Sequence, residues 1–332
     1  MTDCHGVRIG ALSFSPPLVL APLADLSHAP FRELVAELGG CGLFYTEMLN
    51  ARVVAAGGLA GDPYLAVSPL ARPLVAQLVG NDPDRMARAA AMLQDAGFDG
   101  IDINMGCSRQ RIVRFGWGMG LMADPEQALR VVAGVRRAVT LPLLAKIRSG
   151  TEKERGSLVG FARSLAAAGI DGLCLHPRSL EDGFKRPAKW SEIGTLVRDL
   201  SIPVIGNGDV LDREDHRRLV AESGCAAVMI GRGALIRPWL FRELRDGRPW
   251  EGEPGAVVER FAELLRQYLP AELHRSRFLL FFGWFSRNWT FHRQLQAEVS
   301  RCAGLDEMVA RAVAGVKDGV GERVKRPFAG RL

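Results

Sequence analysis

Short runs of apolar, often β-branched residues recur along this chain. Each ends in a polar or glycine-bearing segment and gives way to a helical pattern. The runs fall at 18–24, 43–49, 74–80, 100–106, 142–148, 172–178, 203–209 and 226–233. Amphipathic stretches at 83–96, 125–139, 154–168 and 213–223 lie between them. Nearly continuous apolar strands alternating with helices predict a parallel sheet covered on both faces. Eight such units in a row favour an α/β fold of the (β/α)8 TIM-barrel type over an open doubly wound sheet. A dinucleotide-binding reading fails because no GxGxxG follows the first run.

Two matching joints, Ala96-Gly97-Phe98-Asp99-Gly100 and Ala168-Gly169-Ile170-Asp171-Gly172, support this scheme. In each, the first glycine suits the left-handed cap that ends a helix. After Gly233 the alternation stops. Asp246-Gly247-Arg248-Pro249 reads as a linker, and helical patterns follow at 256–269, 271–300 and 305–316, with Gly283 as a candidate interruption. The expected division is a barrel over 1–248 and a small C-terminal helical domain over 249–332.

Composition adds little to this picture. The chain has 332 residues, 48% hydrophobic and 24% charged, as expected of a globular protein. Its formal charge of +6 is only a mild preference for polyanions. The first ten residues lack a signal-peptide layout, and no apolar run reaches membrane-spanning length. Six scattered cysteines without CxxC spacing argue against a disulfide framework or metal site and for a reducing cytoplasm.

Chemistry in such a barrel sits where strands end, on the C-terminal face. Here those ends carry Pro22-Leu23-Ala24, Glu47, Gln77, Asn104 with Cys107, Lys146 with Arg148, His176 with Arg178, Asn207-Gly208-Asp209 and Gly231-Arg232-Gly233. The glycines after runs seven and eight let backbone N–H groups approach a phosphate, and Arg232 can add a bidentate contact. A buried lysine is costly without a partner. Lys146 therefore faces either a ligand that gains negative charge or a structural carboxylate such as Asp102 or Glu47. Cys107 sits on a glycine-bearing loop beside an amide, where a protonated thiol can act as a general acid. His176 is a potential donor to a ligand, and no second histidine stands at metal spacing.

From Val19 to Phe241 these residues resemble the tRNA-dihydrouridine synthases. The likeness is carried in order by Ala21-Pro22-Leu23-Ala24, Thr46-Glu47-Met48, Gln77-Leu78-Val79-Gly80, Asp102-Ile103-Asn104-Met105-Gly106-Cys107, Lys146-Ile147-Arg148-Ser149-Gly150, His176-Pro177-Arg178-Ser179, Gly206-Asn207-Gly208-Asp209 and Gly231-Arg232-Gly233-Ala234-Leu235. The resemblance implies FMN in the barrel mouth, reduced by NADPH. It implies hydride delivery from flavin N5 to C6 of a flipped-out uridine, with Cys107 protonating C5. It implies that Pro22, Leu23, Ala24, Gln77, Lys146, His176, Asn207, Gly208, Asp209, Gly231 and Arg232 hold FMN, and that Asn104 and Arg178 hold uracil or bridge it to the flavin.

The chain departs from that pattern at Ser108, where a proline usually stands, and at Asp182, Phe184 and Arg186. Arg109, Arg111 and Arg114 keep the cysteine loop basic. Between Glu272 and Arg301, arginines outnumber glutamates and interleave with Trp284, Trp289 and Phe291, which suits phosphates and exposed bases of tRNA or another structured RNA. Two other readings stay open at this point. One is a flavin enzyme acting on a free pyrimidine, of the dihydroorotate dehydrogenase type; the other is a catalytically silent RNA-binding factor.

Overall fold

The computed structural model describes residues 6–58, 65–151, 157–183, 185–317 and 324. A short antiparallel hairpin comes first, β1 (Val7–Ile9) and β2 (Leu12–Phe14). Eight parallel strands follow: β3 (Leu18–Leu20), β4 (Phe44–Asn50), β5 (Leu74–Val79), β6 (Gly100–Met105), β7 (Leu143–Arg148), β8 (Gly172–His176), β9 (Val204–Asn207) and β10 (Ala227–Ile230). Each neighbours the next in sequence, and β10 pairs back onto β3. The ring closes between β3 and β4 through the Val19–Leu43 bridge, with the Leu20 N–H donating to the Leu43 carbonyl at 2.9 Å. The expected (β/α)8 barrel is therefore present.

Strand alternation decides what fills the barrel. Val19, Leu43, Tyr45, Val75, Leu144, Cys174, Ile205, Ala227 and Met229 form an interior cluster, closed from below by Val7, Ile9, Leu12 and Phe14 of the hairpin. Two residues further along the same strand faces stand Gln77, Lys146, His176 and Asn207. Side chains two apart share a face, so the apolar floor and the polar mouth are one continuous surface.

Helices α1 (Ala29–Leu38) to α11 (Leu240–Asp246) wrap the sheet. Among them α3 (Pro83–Asp95), α6 (Pro125–Ala138) and α9 (Arg213–Ser223) begin at Asp82, Asp124 and Asp212. Each of these carboxylates accepts a backbone N–H of the first turn. Four helices follow the barrel: α12 (Pro254–Tyr268), α13 (Ala271–Phe285), α14 (His292–Arg301) and α15 (Leu305–Lys317). Their apolar faces share one buried cluster with the barrel's outer layer. Trp239 stacks on Trp250, with ring centroids 4.3 Å apart, and Phe261 and Phe281 pack against Phe31 and His28 of α1 and its cap.

Three sequence expectations need adjustment. The first strand was expected to run to residue 24, but its pairing ends when the Ala21 N–H reaches the Ile230 carbonyl, because Pro22 has no N–H to continue the ladder. The interruption expected at Gly283 is absent. Gly283 is buried within α13, and the break falls after the 3-10 turn Ser286–Asn288, where Trp289 is extended. The helix expected over 154–168 is observed as Leu158–Ala167, and residues 154–156 and Phe184 lie outside the described residues.

Candidate active site

A cavity of about 450 Å³ opens at the C-terminal end of the strands, a size that takes a cofactor-sized ligand. Twelve of the fourteen expected site residues line it: Pro22, Leu23, Ala24, Asn104, Cys107, Lys146, His176, Asn207, Gly208, Asp209, Gly231 and Arg232. Cys107 and the Gly231-Arg232 turn thus face one space. Gln77 and Arg178 lie behind this wall and act through neighbours.

On the β5–β6 side, a chain of hydrogen bonds runs from the barrel interior to the thiol loop. Gln77 donates through Nε2 to Asp102 at 2.7 Å and accepts at Oε1 from Asn104 Nδ2 at 2.8 Å. Asn104 Oδ1 then accepts the N–H groups of Gly106 and Cys107, at 3.2 and 3.0 Å. The Cys107 carbonyl is itself held by the Met119 N–H at 3.0 Å. Gly118 sits so close, at φ +60, that a Cβ there would lie 2.6 Å from the Cys107 carbonyl oxygen. The backbone that carries the half-buried Cys107 is thus held from both sides.

Asp102 is fully buried, and its Oδ1 has no hydrogen-bond partner. Burial raises its carboxyl to about 7, against the Gln77 hydrogen bond and the charge of Lys146. Lys146 lies on the neighbouring strand, where Asn104 and Lys146 are register partners. Among the described residues no carboxylate pairs with its ammonium, so the structural ion pair with Asp102 or Glu47 is not formed. Burial lowers the Lys146 pKa, and a cavity-facing cation of this kind calls for an electron-rich ligand.

Across the cavity, Asp209 organises the cations. It adopts φ +59, a conformation that Asp tolerates better than most residues. Its carboxylate takes hydrogen bonds from Arg178, from Arg232 Nη2 at 2.8 Å and from the Ala188 N–H at 2.8 Å. Burial works to raise the Asp209 pKa, but the Arg178 hydrogen bond and the surrounding charge hold it below the usual carboxylate range.

Arg178 is fully engaged here, donating also to the Arg186 carbonyl at 2.7 Å and to His176 Nε2 at 2.9 Å. Because arginine can only donate, that His176 nitrogen accepts, which leaves the ring proton on Nδ1. Burial, then Arg148 and Lys146, push the His176 pKa well down and keep the ring neutral. Asp182, one of the departures from the expected pattern, has a clear role. Its buried carboxylate accepts the Ser179 N–H at 2.9 Å and shapes the turn that presents the Arg186 carbonyl to Arg178.

The glycines of the two last strand ends meet the cavity closely. Gly208 has φ +121, and a Cβ there would touch the His176 ring at 3.0 Å. At Gly233 a Cβ would lie 2.3 Å from the Val210 carbonyl oxygen, so the turn after β10 closes onto the loop after β9 only without a side chain. A phosphate seated here meets the Gly208 and Gly231 backbone and Arg232. An isoalloxazine bound here would have Lys146 as its cation and the neutral His176 among the residues available to hold it. The residues present fit FMN.

Sequence reasoning named Arg148, Glu47 and Trp284 without the roles seen here, and missed Asp25 and Leu280. Arg148 lines the cavity and donates from Nε to the Gly106 carbonyl at 2.9 Å, a second brace on the thiol loop. Leu280 and Trp284, one turn apart on α13, form part of the cavity wall. Arg277, on the same helix, pairs with Asp25 at 3.1 Å, and the Asp25 N–H donates to Glu47 at 2.6 Å. Glu47 is aimed there by a bulge in β4 between Tyr45 and Met48. On α13 the signals in the sequence were the arginines interleaved with Trp284 and the helical spacing of 277, 280 and 284, neither of which says what that face covers.

A family model described as dihydrouridine synthase matches residues 19–308. The chain is 31% identical over 318 residues to tRNA-dihydrouridine synthase B of Pseudomonas aeruginosa, covering 92% of this chain and 94% of that one. It is 33% identical over 298 residues to tRNA-dihydrouridine(16) synthase of Cupriavidus necator, covering 86% and 92%. Among solved structures, histamine dehydrogenase from a Rhizobium species shares the fold with a TM-score of 0.59 at 15% identity, over 79% of this chain and 50% of that chain.

Proposed function

The chain belongs to the dihydrouridine synthase family, and on that premise we propose that it reduces uridine to 5,6-dihydrouridine in tRNA through the cavity described above. The observation that carries this reading is the convergence of Cys107, Lys146 and the Gly231-Arg232 turn on one space. When bound, FMN supplies the hydride for C6 of uracil after reduction by NADPH. The chain's own residues do the rest.

Lys146 holds the electron-rich edge of the ring system. Asp209, clamped between Arg178 and Arg232, orients the guanidinium that meets the phosphate. Cys107, held by Asn104 and the Met119 N–H, is the group that would give its proton to C5. Asn104 keeps one amide hydrogen for the uracil, since its oxygen and its other hydrogen are already committed. Flipping the base is required, because a stacked uracil cannot present its face at the bottom of this mouth.

We assign FMN to residues 1–248 and RNA contact chiefly to residues 249–332, with Leu280 and Trp284 as the point where the two parts share one wall. No helix among the described residues is long and apolar enough to cross a membrane. The reading places the enzyme with its tRNA substrate in the cytoplasm.

The test is mass spectrometry of tRNA from a strain lacking the gene, complemented with the natural chain or with Cys107→Ala. The proposal requires one dihydrouridine to vanish, to return with the natural chain and to stay absent with Cys107→Ala. If no dihydrouridine is lost, the proposal fails.

A further inference from the structure

The cysteine loop carries more than its thiol. Past Cys107 it forms the short helix α4 (Gln110–Val113) and then turns at Gly116, whose φ is +71. This turn is built as a rigid display. Asn81 Nδ2 donates to the Phe115 carbonyl at 3.1 Å, and Trp117 Nε1 donates to Asn81 Oδ1 at 3.0 Å. Trp117 supports the Phe115 ring at a centroid distance of 5.3 Å, and the Arg114 guanidinium lies 4.9 Å from that ring. Yet Phe115 remains 53% exposed.

Around Phe115 arginines outnumber acids. Asn81 also leads directly into the N-terminus of α3, which carries the exposed Arg85 and Arg88. Beside these, Arg52 of α2 (Ala51–Ala55) lines the same shallow depression between α2 and α3. Arg52, Arg88, Arg111 and Arg114 have no carboxylate partner among the described residues. Arg85 is paired, to Asp82 at 3.4 Å, and Asp84 is the other acid at this edge. Phe115 lies on the loop after β6, and Arg52, Arg85 and Arg88 lie on α2 and α3 after β4 and β5, so this surface spans three neighbouring strand ends.

We propose that this surface is a second RNA-docking track. The strand carrying the target uridine leaves the mouth over the cysteine loop, stacks one neighbouring base on Phe115, and lays its phosphates along Arg111 and Arg114 toward Arg52, Arg85 and Arg88. An exposed, braced aromatic flanked by unpaired arginines suits unstacked loop RNA, in which bases are free to stack and phosphates to pair. The proposal rests on the RNA-modifying reading above for its substrate, and it adds the path of the strand. Because Cys107 and Phe115 share one braced loop, docking here also fixes the thiol against the uracil.

The experiment is binding of a labelled tRNA transcript to the full-length flavoprotein across a series of salt concentrations, compared with dihydrouridine formation on the same samples. Arg85→Ala/Arg88→Ala is expected to weaken binding about tenfold or more and to flatten the log-affinity against log-salt slope by about 1 to 2, the loss of two phosphate contacts. Phe115→Ala is expected to weaken binding about tenfold, with Phe115→Trp restoring it and Phe115→Leu not, since stacking needs a π face. Arg217→Ala, on the distant helix α9, controls for net charge and leaves the slope unchanged. Affinity and slope equal to the natural chain in the arginine and phenylalanine variants would overturn the track. Failure of the natural chain to form dihydrouridine, with these binding differences intact, would instead overturn the RNA-modifying reading.

Discussion

Asn104 Oδ1 accepts the Cys107 N–H at 3.0 Å, so the residue read from sequence as a uracil ligand is also the anchor of the proton donor. Gln77 and Asp102 extend that anchor into the barrel wall. Asn104→Ala leaves two loop amides without their acceptor, at a cost of about 1–3 kcal/mol each if they stay buried. The expected result is a fall in single-turnover dihydrouridine formation of about tenfold to a hundredfold, the scale of a misplaced reacting group. Flavin content and NADPH oxidation without RNA should be unchanged. A variant with normal turnover would show that the loop holds Cys107 without Asn104.

Lys146 faces the cavity with no carboxylate paired to it among the described residues. Lys146→Met keeps the stem and removes the charge, and it should weaken FMN binding by about tenfold to a hundredfold, the worth of one charge-assisted contact. Titration of the flavin-stripped protein by fluorescence quenching measures this. Unchanged affinity would return Lys146 to a purely structural role.

Asp102 gives a pH signature. The unfolded chain ionises an aspartate near ~3.9, whereas the folded chain keeps this one protonated to about 7. Between those values the folded state binds the extra proton, so stability falls as pH rises through the window. Burial of Glu47, raised to about 7 against its hydrogen bond from Asp25, adds in the same direction. Asp102→Asn keeps an acceptor for Gln77 and removes the ionisation. Its Tm advantage over the natural chain should be larger at pH 8 than at pH 5. An equal difference at both values would mean that Asp102 is not held protonated.

Gly233 tests the anion cradle. A Cβ there would press on the Val210 carbonyl at 2.3 Å, and relieving such overlap costs about 1–3 kcal/mol. Gly233→Ala is expected to lower Tm and to loosen FMN, with added FMN recovering less Tm than in the natural chain. Full recovery by FMN would show that the turn tolerates a side chain.

The eight βα units were legible in the sequence because their pattern is local, an apolar run, a cap and an amphipathic helix. The mouth was legible for a related reason. In a closed barrel every strand end meets the same space, so Asn104, Lys146, His176 and Gly231 needed only correct strand assignments to come together. What the sequence left out depends on register or docking. That Gln77 lies beside Asp102 and Asn104 follows from how β5 pairs with β6. That Leu280 and Trp284 wall the cavity follows from where α13 settles on the barrel. The hairpin of Val7–Ile9 and Leu12–Phe14 escaped because three-residue strands carry almost no periodicity.

The account turns on Cys107 delivering its proton inside the cavity that binds FMN. The direct measurement is rapid mixing of tRNA lacking dihydrouridine with anaerobic, NADPH-reduced enzyme, following flavin reoxidation and product together. The natural chain should reoxidise with one dihydrouridine formed per flavin, whereas Cys107→Ala should reduce normally with NADPH and reoxidise at least about 100-fold more slowly. Equal reoxidation rates in the two proteins would contradict the account.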